Sequence, residues 1–150
     1  MRIVLASDHA GFGLKEKVKA YLTAQGQELL DVGCEGCESV DYPVFGVKAI
    51  QKILSGEAER GILICGTGIG MSITANRFPG IRAALCSDCY TARMSRLHND
   101  ANVLVMGGRV IGEALALELV RIFLETPFEG GRHERRLRLI EEFVGEVRDV

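Results

Sequence analysis

The chain has no tryptophan, only three prolines and few aromatic residues, at 6% of its 150 positions. It also lacks a long apolar run, since no stretch approaches the about 20 residues that a membrane-spanning helix needs. An excess of charge of one sign is missing too, because the formal net charge is -2. Nucleic-acid binding depends on lysine and arginine side chains that neutralise phosphates, and this chain has no excess of positive charge to attract them. We therefore expect neither a membrane nor a nucleic-acid partner, and we expect any anion site to be local.

The composition is typical of a globular protein, with 47% hydrophobic and 25% charged residues. A chain of this length predicts one domain, and it buries about 68% of its unfolded surface without needing a disulfide or a metal. The apolar run at 3–6 is too short for a signal peptide, so the cytoplasm is the expected location. Five cysteines is an odd number. In a reducing compartment this favours free thiols over a disulfide framework.

Short apolar runs alternate with helical patterns along the whole chain. The runs predict strands over 3–6, 28–32, 61–65, 81–85 and 103–106, and the helical spacing predicts helices over about 14–22, 44–54, 71–76, 90–97 and 113–124. Strands that are apolar throughout belong to parallel sheets covered on both faces. The sequence therefore predicts a single-domain, three-layer α/β/α sandwich, Rossmann-like, with a five-stranded parallel sheet.

An extra C-terminal helix follows Thr126-Pro127, within a helical extension over 129–150. Leu137, Ile140, Val144 and Val147 form a narrow apolar stripe on its otherwise charged surface. The stripe could pack on its own domain. It could equally pack on a second copy of the chain, because twofold dimers are the commonest oligomers.

Two polar loops follow the first and third predicted strands, SDHAG at 7–11 and CGTGIG at 65–70. In a sheet whose strand order begins 2-1-3, these loops meet at the switch point where ligands bind. Met71 replaces the third glycine of a dinucleotide motif, and no lysine completes a nucleotide-binding P-loop. The N–H groups of the glycine turn suit an anion or a developing oxyanion instead. An ordinary tight turn is the alternative.

Two side chains next to predicted loops could move protons. Cys65 begins the glycine turn, where helix N-terminal donors favour a thiolate that acts as base or nucleophile; its alternative is a small buried hydrophobe. His98 lies between the fourth helix and the fifth strand. It could be a general acid and base near neutral pH, or a surface or capping residue.

A basic segment opens the last helix, with four arginines and one glutamate over 132–138. Cations there oppose the helix dipole, and Arg132 and Arg136 share one face. A bound anion would relieve this conflict, and guanidinium groups match phosphate geometry. The alternative is a solvated basic turn, relieved in part by pairing of Glu134 with Arg138.

Two CxxC pairs, Cys34/Cys37 and Cys86/Cys89, raise the alternative of a zinc or redox protein. The 48 residues between the pairs exceed the about 15 to 20 of zinc ribbons. We therefore expect no metal ligands among these thiols.

Seven stretches in collinear order carry a resemblance to a known family. They are SDHAGF at 7–12, VDYP at 40–43, GILICGTGIGMSITAN at 61–76, GIRAALCSD at 80–88, HNDANVL at 98–104, GGRVIG at 107–112 and EGGRHERR at 129–136. The chain resembles the family of ribose, galactose and allose phosphate isomerases. The resemblance implies a metal-free aldose-ketose isomerase without a cofactor, acting on a sugar phosphate through a cis-enediolate.

The resemblance also implies roles for individual residues. Cys65 is the base that moves a proton between C2 and C1, and His98 is the acid that opens the furanose ring. The enediolate oxygens are implied to contact Gly66, Thr67, Gly68, Ile69 and Gly70. The sugar is implied to contact Asp8, His9 and Asn99, and the substrate is also implied to contact Tyr42. The phosphate is implied to bind Arg109, Arg132 and Arg136. The site is implied to be shared between the subunits of a homodimer, with a tetramer also open.

Part of the family lacks the cysteine and places a glutamate farther along the following helix, whereas this chain has Cys65 and Ala75. A thiolate base, an anion-stabilising turn, an acid near neutrality and a guanidinium clamp are what this proton transfer requires. Ribose 5-phosphate is the expected substrate. The alternatives are a hexose 6-phosphate, such as allose or galactose 6-phosphate, and a non-catalytic sugar-phosphate-binding module.

Overall fold

The computed structural model describes residues 1–149, and Val150, the last residue of the predicted C-terminal extension, lies outside them. Within these residues, five strands alternate with helices and a sixth helix follows. The strands are β1 (Arg2–Ser7), β2 (Glu28–Asp31), β3 (Arg60–Cys65), β4 (Ala83–Leu85) and β5 (Val103–Gly107). The helices are α1 (Phe12–Ala24), α2 (Tyr42–Leu54), α3 (Ile69–Ala75), α4 (Cys89–Leu97), α5 (Glu113–Glu125) and α6 (Arg132–Arg148).

The five strands form one parallel sheet in the order β2-β1-β3-β5-β4. The order begins 2-1-3, which is the condition under which the two polar loops meet. Leu5 on β1 pairs with Ile62 on β3, which in turn pairs with Leu104 on β5. The carboxyl ends of β1, β3 and β5 therefore lie side by side at one edge of the sheet, called here the C-terminal edge.

Alternate residues of the central strands point to opposite faces of the sheet, and each face has its own core. Ile62, Ile64 and their neighbours pack under α1, α4 and α5, whereas Leu63 and Cys65 pack under α2 and α3. This alternation follows from the two-residue period of a strand. Both cores consist of fully buried aliphatic side chains. The predicted three-layer sandwich is confirmed.

The boundaries of the five strands and of α1 to α5 lie within two residues of the predicted ones, and two of the differences have a local cause. β4 begins at Ala83 instead of residue 81, because the N–H groups before it bond elsewhere: Ile81 donates to the carbonyl of Phe78, and Arg82 donates to Asn102 Oδ1. α3 begins at Ile69, two residues earlier than predicted, because Gly68 turns the chain with φ at +82°.

The apolar stripe of α6 remains largely exposed on a single chain. Ile140, Val144 and Val147 are 54%, 42% and 74% exposed. A groove of about 560 Å³ separates α6 from the segment that contains Phe78 and Ile81. The alternative in which the stripe packs on its own domain is therefore wrong for these three side chains. No helix in residues 1–149 is long and apolar enough to cross a membrane.

Candidate active site

The glycine turn after β3 places Cys65 at the C-terminal edge. Cys65 is the last residue of β3 and is 4% exposed, and its Sγ accepts a hydrogen bond from the Gly68 N–H at 3.2 Å. Any side chain at Gly68 would overlap Leu85 and crowd the backbone of Met106. Glycine is therefore what allows this N–H to reach the sulfur. The sulfur atom therefore lies inside the turn, with a backbone donor directed at it.

Thr67 and Tyr42 face the same turn. Thr67 is exposed, and its Oγ1 accepts a hydrogen bond from the Ile69 N–H at 3.2 Å. Tyr42, the first residue of α2, lies directly over Gly70, because a Cβ at Gly70 would sit 2.5 to 2.9 Å from three atoms of its ring. The turn therefore has a hydroxyl group on one side and a phenol ring above it.

The loop after β1 lies beside this turn, as the strand order predicted. The Asp8 N–H donates to the carbonyl of Ile64 at 3.2 Å, and Asp8 Oδ1 accepts from the Gly11 N–H at 3.0 Å. His9 Nδ1 accepts a hydrogen bond from the Val40 N–H at 3.1 Å. A neutral imidazole that accepts at Nδ1 carries its proton at Nε2. His9 therefore has an Nε2–H group that can donate a hydrogen bond.

The segment after β5 completes this edge. The Gly108 N–H donates to the carbonyl of Cys65 at 2.8 Å, and the Arg109 N–H donates to the carbonyl of Gly66 at 3.0 Å. A Cβ at Gly66 would lie 3.7 Å from Arg109 Nη1, so the guanidinium group is beside the turn. We call this set the thiol half-site; it comprises Asp8, His9, Tyr42, Cys65 to Gly70, and Arg109.

The remaining predicted residues lie at the other edge of the sheet. His98 follows α4, and the carbonyl of Asn102, four residues later, accepts a hydrogen bond from the Gly61 N–H at the start of β3. Asn99 is exposed, and its carbonyl accepts from Arg82 Nε at 3.0 Å. We call the set at this edge the histidine half-site; it comprises His98, Asn99, Glu129, Arg132, His133 and Arg136.

His98 and His133 form a stacked pair within the histidine half-site. Their ring centroids are 4.1 Å apart, and the ring planes are inclined by 11°. Glu129 Oε2 lies 3.0 Å from His133 Nε2 and 3.9 Å from His98 Nε2. His133 is buried at 7% exposure, whereas the side chain of His98 is 38% exposed.

The sequence analysis missed Glu129 and His133, although both lie in the quoted stretch EGGRHERR. The arginines of that stretch were interpreted as phosphate ligands, and its other residues were not assigned a role. Residues four positions apart are neighbours only within a helix, and Glu129 lies before α6, which begins at Arg132. The sequence spacing of Glu129 and His133 therefore did not predict their contact.

The two half-sites are far apart on one chain. Cys65 ends β3, and β3 begins at Arg60 near the histidine half-site. Five intervals of about 3.3 Å per residue separate these strand ends by about 16 Å. One chain therefore does not bring Cys65 to His98, nor does it bring Arg109 to Arg132 and Arg136.

One group in residues 1–149 has ligand atoms spaced for a metal ion, namely His98, Glu129 and His133, whose candidate atoms lie within 4.8 Å of one another. A metal lies in the plane of each imidazole that binds it, about 2.0 to 2.1 Å from the nitrogen. Two nearly parallel planes do not meet at such a point. The arrangement therefore does not suit a metal centre.

The cysteines do not join this group, and no cysteine in residues 1–149 belongs to a cluster with metal-ligand spacing. Cys86 is buried, and burial raises the pKa of its thiol. A raised thiol pKa opposes formation of the thiolate that binds zinc. The geometry therefore does not support the zinc alternative.

The chain is similar to known proteins over nearly its whole length. A family model described as Ribose/Galactose Isomerase matches residues 3–140. Ribose-5-phosphate isomerase B of Escherichia coli is 46% identical over 139 residues, which cover 93% of each chain. A 4-deoxy-4-sulfo-D-erythrose isomerase of a Clostridium species is 47% identical over 143 residues, 94% of this chain and 89% of that relative.

A solved structure of Clostridium thermocellum ribose-5-phosphate isomerase B superimposes with a TM-score of 0.96. It is 51% identical and covers 98% of this chain and 99% of its own. Identity at this level over nearly the full length establishes more than a shared fold. The chain belongs to the ribose/galactose isomerase family.

Proposed function

We propose that the chain interconverts ribose 5-phosphate and ribulose 5-phosphate by metal-free proton transfer. The hydrogen bond from the Gly68 N–H to Cys65 Sγ, at 3.2 Å, carries this proposal. It supports a role for the Cys65 sulfur as the base, because the sulfur lies inside a turn that is rich in N–H donors. The relatives named as ribose-5-phosphate isomerase B support the choice of substrate.

In the proposed reaction, the open-chain aldose lies against the glycine turn. Cys65 takes the proton from C2 while the C1 carbonyl oxygen gains negative charge, which gives a cis-enediolate. The same proton is then added to C1, while the C2 hydroxyl group gives its proton to the C1 oxygen. C2 thereby becomes the ketone, and C1 keeps a hydroxyl group. Donors beside a developing negative charge lower the barrier most when they are already in place. The Thr67 hydroxyl would have this role, together with the N–H groups over 66–70 other than those of Gly68 and Ile69, which bond Cys65 Sγ and Thr67 Oγ1.

The remaining residues of the thiol half-site would bind the sugar. His9 offers an Nε2–H donor because the Val40 N–H occupies its Nδ1. Asp8 would accept hydrogen bonds from sugar hydroxyls, and Tyr42 would cover the chain of the sugar above Gly70. Binding energy at such remote groups holds C1 and C2 in register with the sulfur.

The complete site is proposed to form between two copies of the chain. The separation of the half-sites at opposite edges of one sheet supports this, as does the exposed apolar stripe of α6. In a homodimer, Arg109 of one subunit would bind the phosphate with Arg132 of the partner subunit and Arg136 of the partner subunit. His98 of the partner subunit would open the furanose ring. The predicted packing of the extension on a partner is part of this proposal, and the cytoplasmic location stays a prediction.

The first test is conversion of ribose 5-phosphate to ribulose 5-phosphate in the presence of EDTA, for the native chain and for Cys65→Ala. We expect EDTA-resistant turnover that the substitution abolishes while ribose 5-phosphate still binds. Turnover retained in Cys65→Ala would disprove Cys65 as the base. Binding without turnover in the native chain would favour the sugar-phosphate-binding module.

A second candidate is the same isomerisation on a sugar of another length. The relative that acts on 4-deoxy-4-sulfo-D-erythrose favours it, because that substrate has four carbons and a sulfonate in place of the phosphate. Values of kcat/KM for ribose 5-phosphate, allose 6-phosphate, galactose 6-phosphate and 4-deoxy-4-sulfoerythrose decide between them. The highest value identifies the substrate class.

A further inference from the structure

Resting on the proposed function, we propose that Glu129 is a positioning residue for ring opening, which acts by bridging the stacked pair of His98 and His133. Ribose 5-phosphate is a closed furanose in water, so an aldehyde must form before Cys65 can act. In this step the C1 hydroxyl loses its proton to solvent, the bond from C1 to the ring oxygen breaks, and the ring oxygen takes a proton from His98. Solvent then returns a proton to His98.

Glu129 is attached to the end of α4 by its backbone as well as by its side chain. Its N–H donates to the carbonyl of Leu97, the residue before His98, at 3.0 Å. Its Oε2 lies 3.9 Å from His98 Nε2. The backbone of Glu129 is therefore fixed next to His98, and its half-exposed carboxylate faces the His98 ring.

His133 supplies the rigid surface on which His98 rests. It is buried at 7% exposure, and its backbone N–H donates to the carbonyl of Gly130 at 3.1 Å. Its ring lies 4.1 Å from that of His98 and nearly parallel to it. An exposed side chain that is free to rotate loses conformational entropy when it must adopt one position. The stack removes most of that freedom before the substrate arrives.

The carboxylate lies next to both rings of the pair. Its Oε2 is 3.0 Å from His133 Nε2 and 3.9 Å from His98 Nε2. A negative group this close to an imidazole ring attracts positive charge by Coulomb interaction. One carboxylate therefore acts on the acid and on the ring that supports it. The role differs from phosphate binding, for which Arg132 and Arg136 are proposed.

The test isolates ring opening from isomerisation. Cys65→Ala should not isomerise, yet it should still speed the exchange between the α and β anomers of ribose 5-phosphate, because exchange needs only opening and closing of the ring. Two-dimensional exchange NMR measures this rate. Adding Glu129→Gln to Cys65→Ala should lower the enzyme-dependent exchange about tenfold, since a positioned acid contributes about a hundredfold or more in total. Glu129→Ala should do the same, because the charge is lost in both.

Glu125→Gln is the matched control, since Glu125 is an exposed glutamate at the end of α5 that pairs with Arg121. It should leave the exchange unchanged. For the enzyme with Cys65 intact, Glu129→Gln should lower kcat for ribose 5-phosphate and leave KM within about twofold, because substrate-binding residues are untouched. If Glu129→Gln alters the mass of the assembly in solution, the oligomeric state has changed, and Glu129→Asp takes its place. Glu129→Asp should lose part of the enzyme-dependent anomer exchange.

Each negative result has its own meaning. If the native chain does not isomerise ribose 5-phosphate, the proposed function fails. If it isomerises but Cys65→Ala does not speed anomer exchange, ring opening does not occur at this pair and the inference is overturned. An exchange rate that Glu129→Gln or Glu129→Asp leaves unchanged also overturns it.

Discussion

Cys65 and His98 lie at opposite edges of the same parallel sheet. Cys65 closes β3, whereas His98 follows α4 beside the start of β3 and β5. Because every strand runs in the same direction, the residues after strands and the residues after helices gather at opposite edges. The proposed base and the proposed ring-opening acid of one chain therefore cannot serve the same substrate molecule. This separation makes the assembly of two copies testable by activity alone.

Mixing two inactive variants should restore turnover. Cys65→Ala removes the base, and His98→Asn removes the acid, so each homodimer lacks one function in both of its sites. In a mixed dimer one site keeps both residues. Random exchange of subunits of a twofold dimer should recover about a quarter of native kcat. The assay measures ribulose 5-phosphate formation after subunit exchange, and each variant alone is the control. Native mass spectrometry shows whether mixed dimers have formed. If mixed dimers are present and turnover is not restored, the site is not shared between subunits.

Gly70→Ala should weaken the site through Tyr42. The new Cβ would lie 2.5 to 2.9 Å from three ring atoms of Tyr42, so the ring must move away from the turn. We expect kcat/KM to fall about tenfold, since small misplacements at a reacting centre are costly. Gly13→Ala is the control, because a Cβ at Gly13 meets nothing within 4 Å. Equal kcat/KM values for the two variants would show that Tyr42 has no part in substrate binding.

Asp31 should make stability depend on pH. Burial disfavours its charged form, but hydrogen bonds from Lys15, Lys19 and the Gly33 N–H outweigh burial and lower the pKa of Asp31. A pKa lowered by folding stabilises the folded state above the unfolded value of about 3.9. That contribution is lost as the pH falls through the lower, folded value. The pair with Lys15 is tight, at 2.7 Å, and the Lys15 side chain is 2% exposed.

Asp31→Asn should therefore lower the free energy of unfolding by about 2 kcal/mol at pH 7, because it leaves a buried ammonium without its main partner. Below about pH 4 the difference from the native chain should shrink, since Asp31 takes up a proton there in the unfolded chain, and in the folded chain only at lower pH. Urea unfolding at both pH values measures this. Glu113→Gln, which removes an exposed pair with Lys17 at 3.8 Å, is the control and should change little. A difference that is the same at both pH values would refute the linkage.

The thiols should differ widely in reactivity. Cys37 is exposed, whereas Cys34 and Cys86 are buried, and burial also raises the pKa of Cys86. Because the thiolate is the reactive form, a disulfide reagent at pH 8 should label Cys37 first and Cys86 much more slowly. Peptide mass spectrometry at successive times identifies each site, and labelling in denaturant gives the upper limit. Rapid labelling of Cys86 in the folded chain would contradict its burial.

The sequence alone predicted most of the architecture. The alternation of apolar runs with helical spacing predicted five strands and their parallel arrangement, because burial on both faces requires apolar strands. It also predicted that Asp8 and Cys65 would share one edge, since parallel strands end together. The start of β4 was predicted less well, because the hydrogen bond from the Arg82 N–H to Asn102 Oδ1 joins residues 20 positions apart.

Tertiary structure decided what the local pattern could not. Cys65, Thr67 and the arginines could be proposed from the sequence because each lies in a motif of contiguous residues. The stack of His98 on His133 and the position of Glu129 beside both depend on how the end of α5 brings the segment 126–131 back against α4. The type of each side chain and the turn around it therefore follow from the sequence. Which distant side chains lie together is decided by packing, because contacts between residues far apart in the chain exist only once the sheet and its helices have assembled.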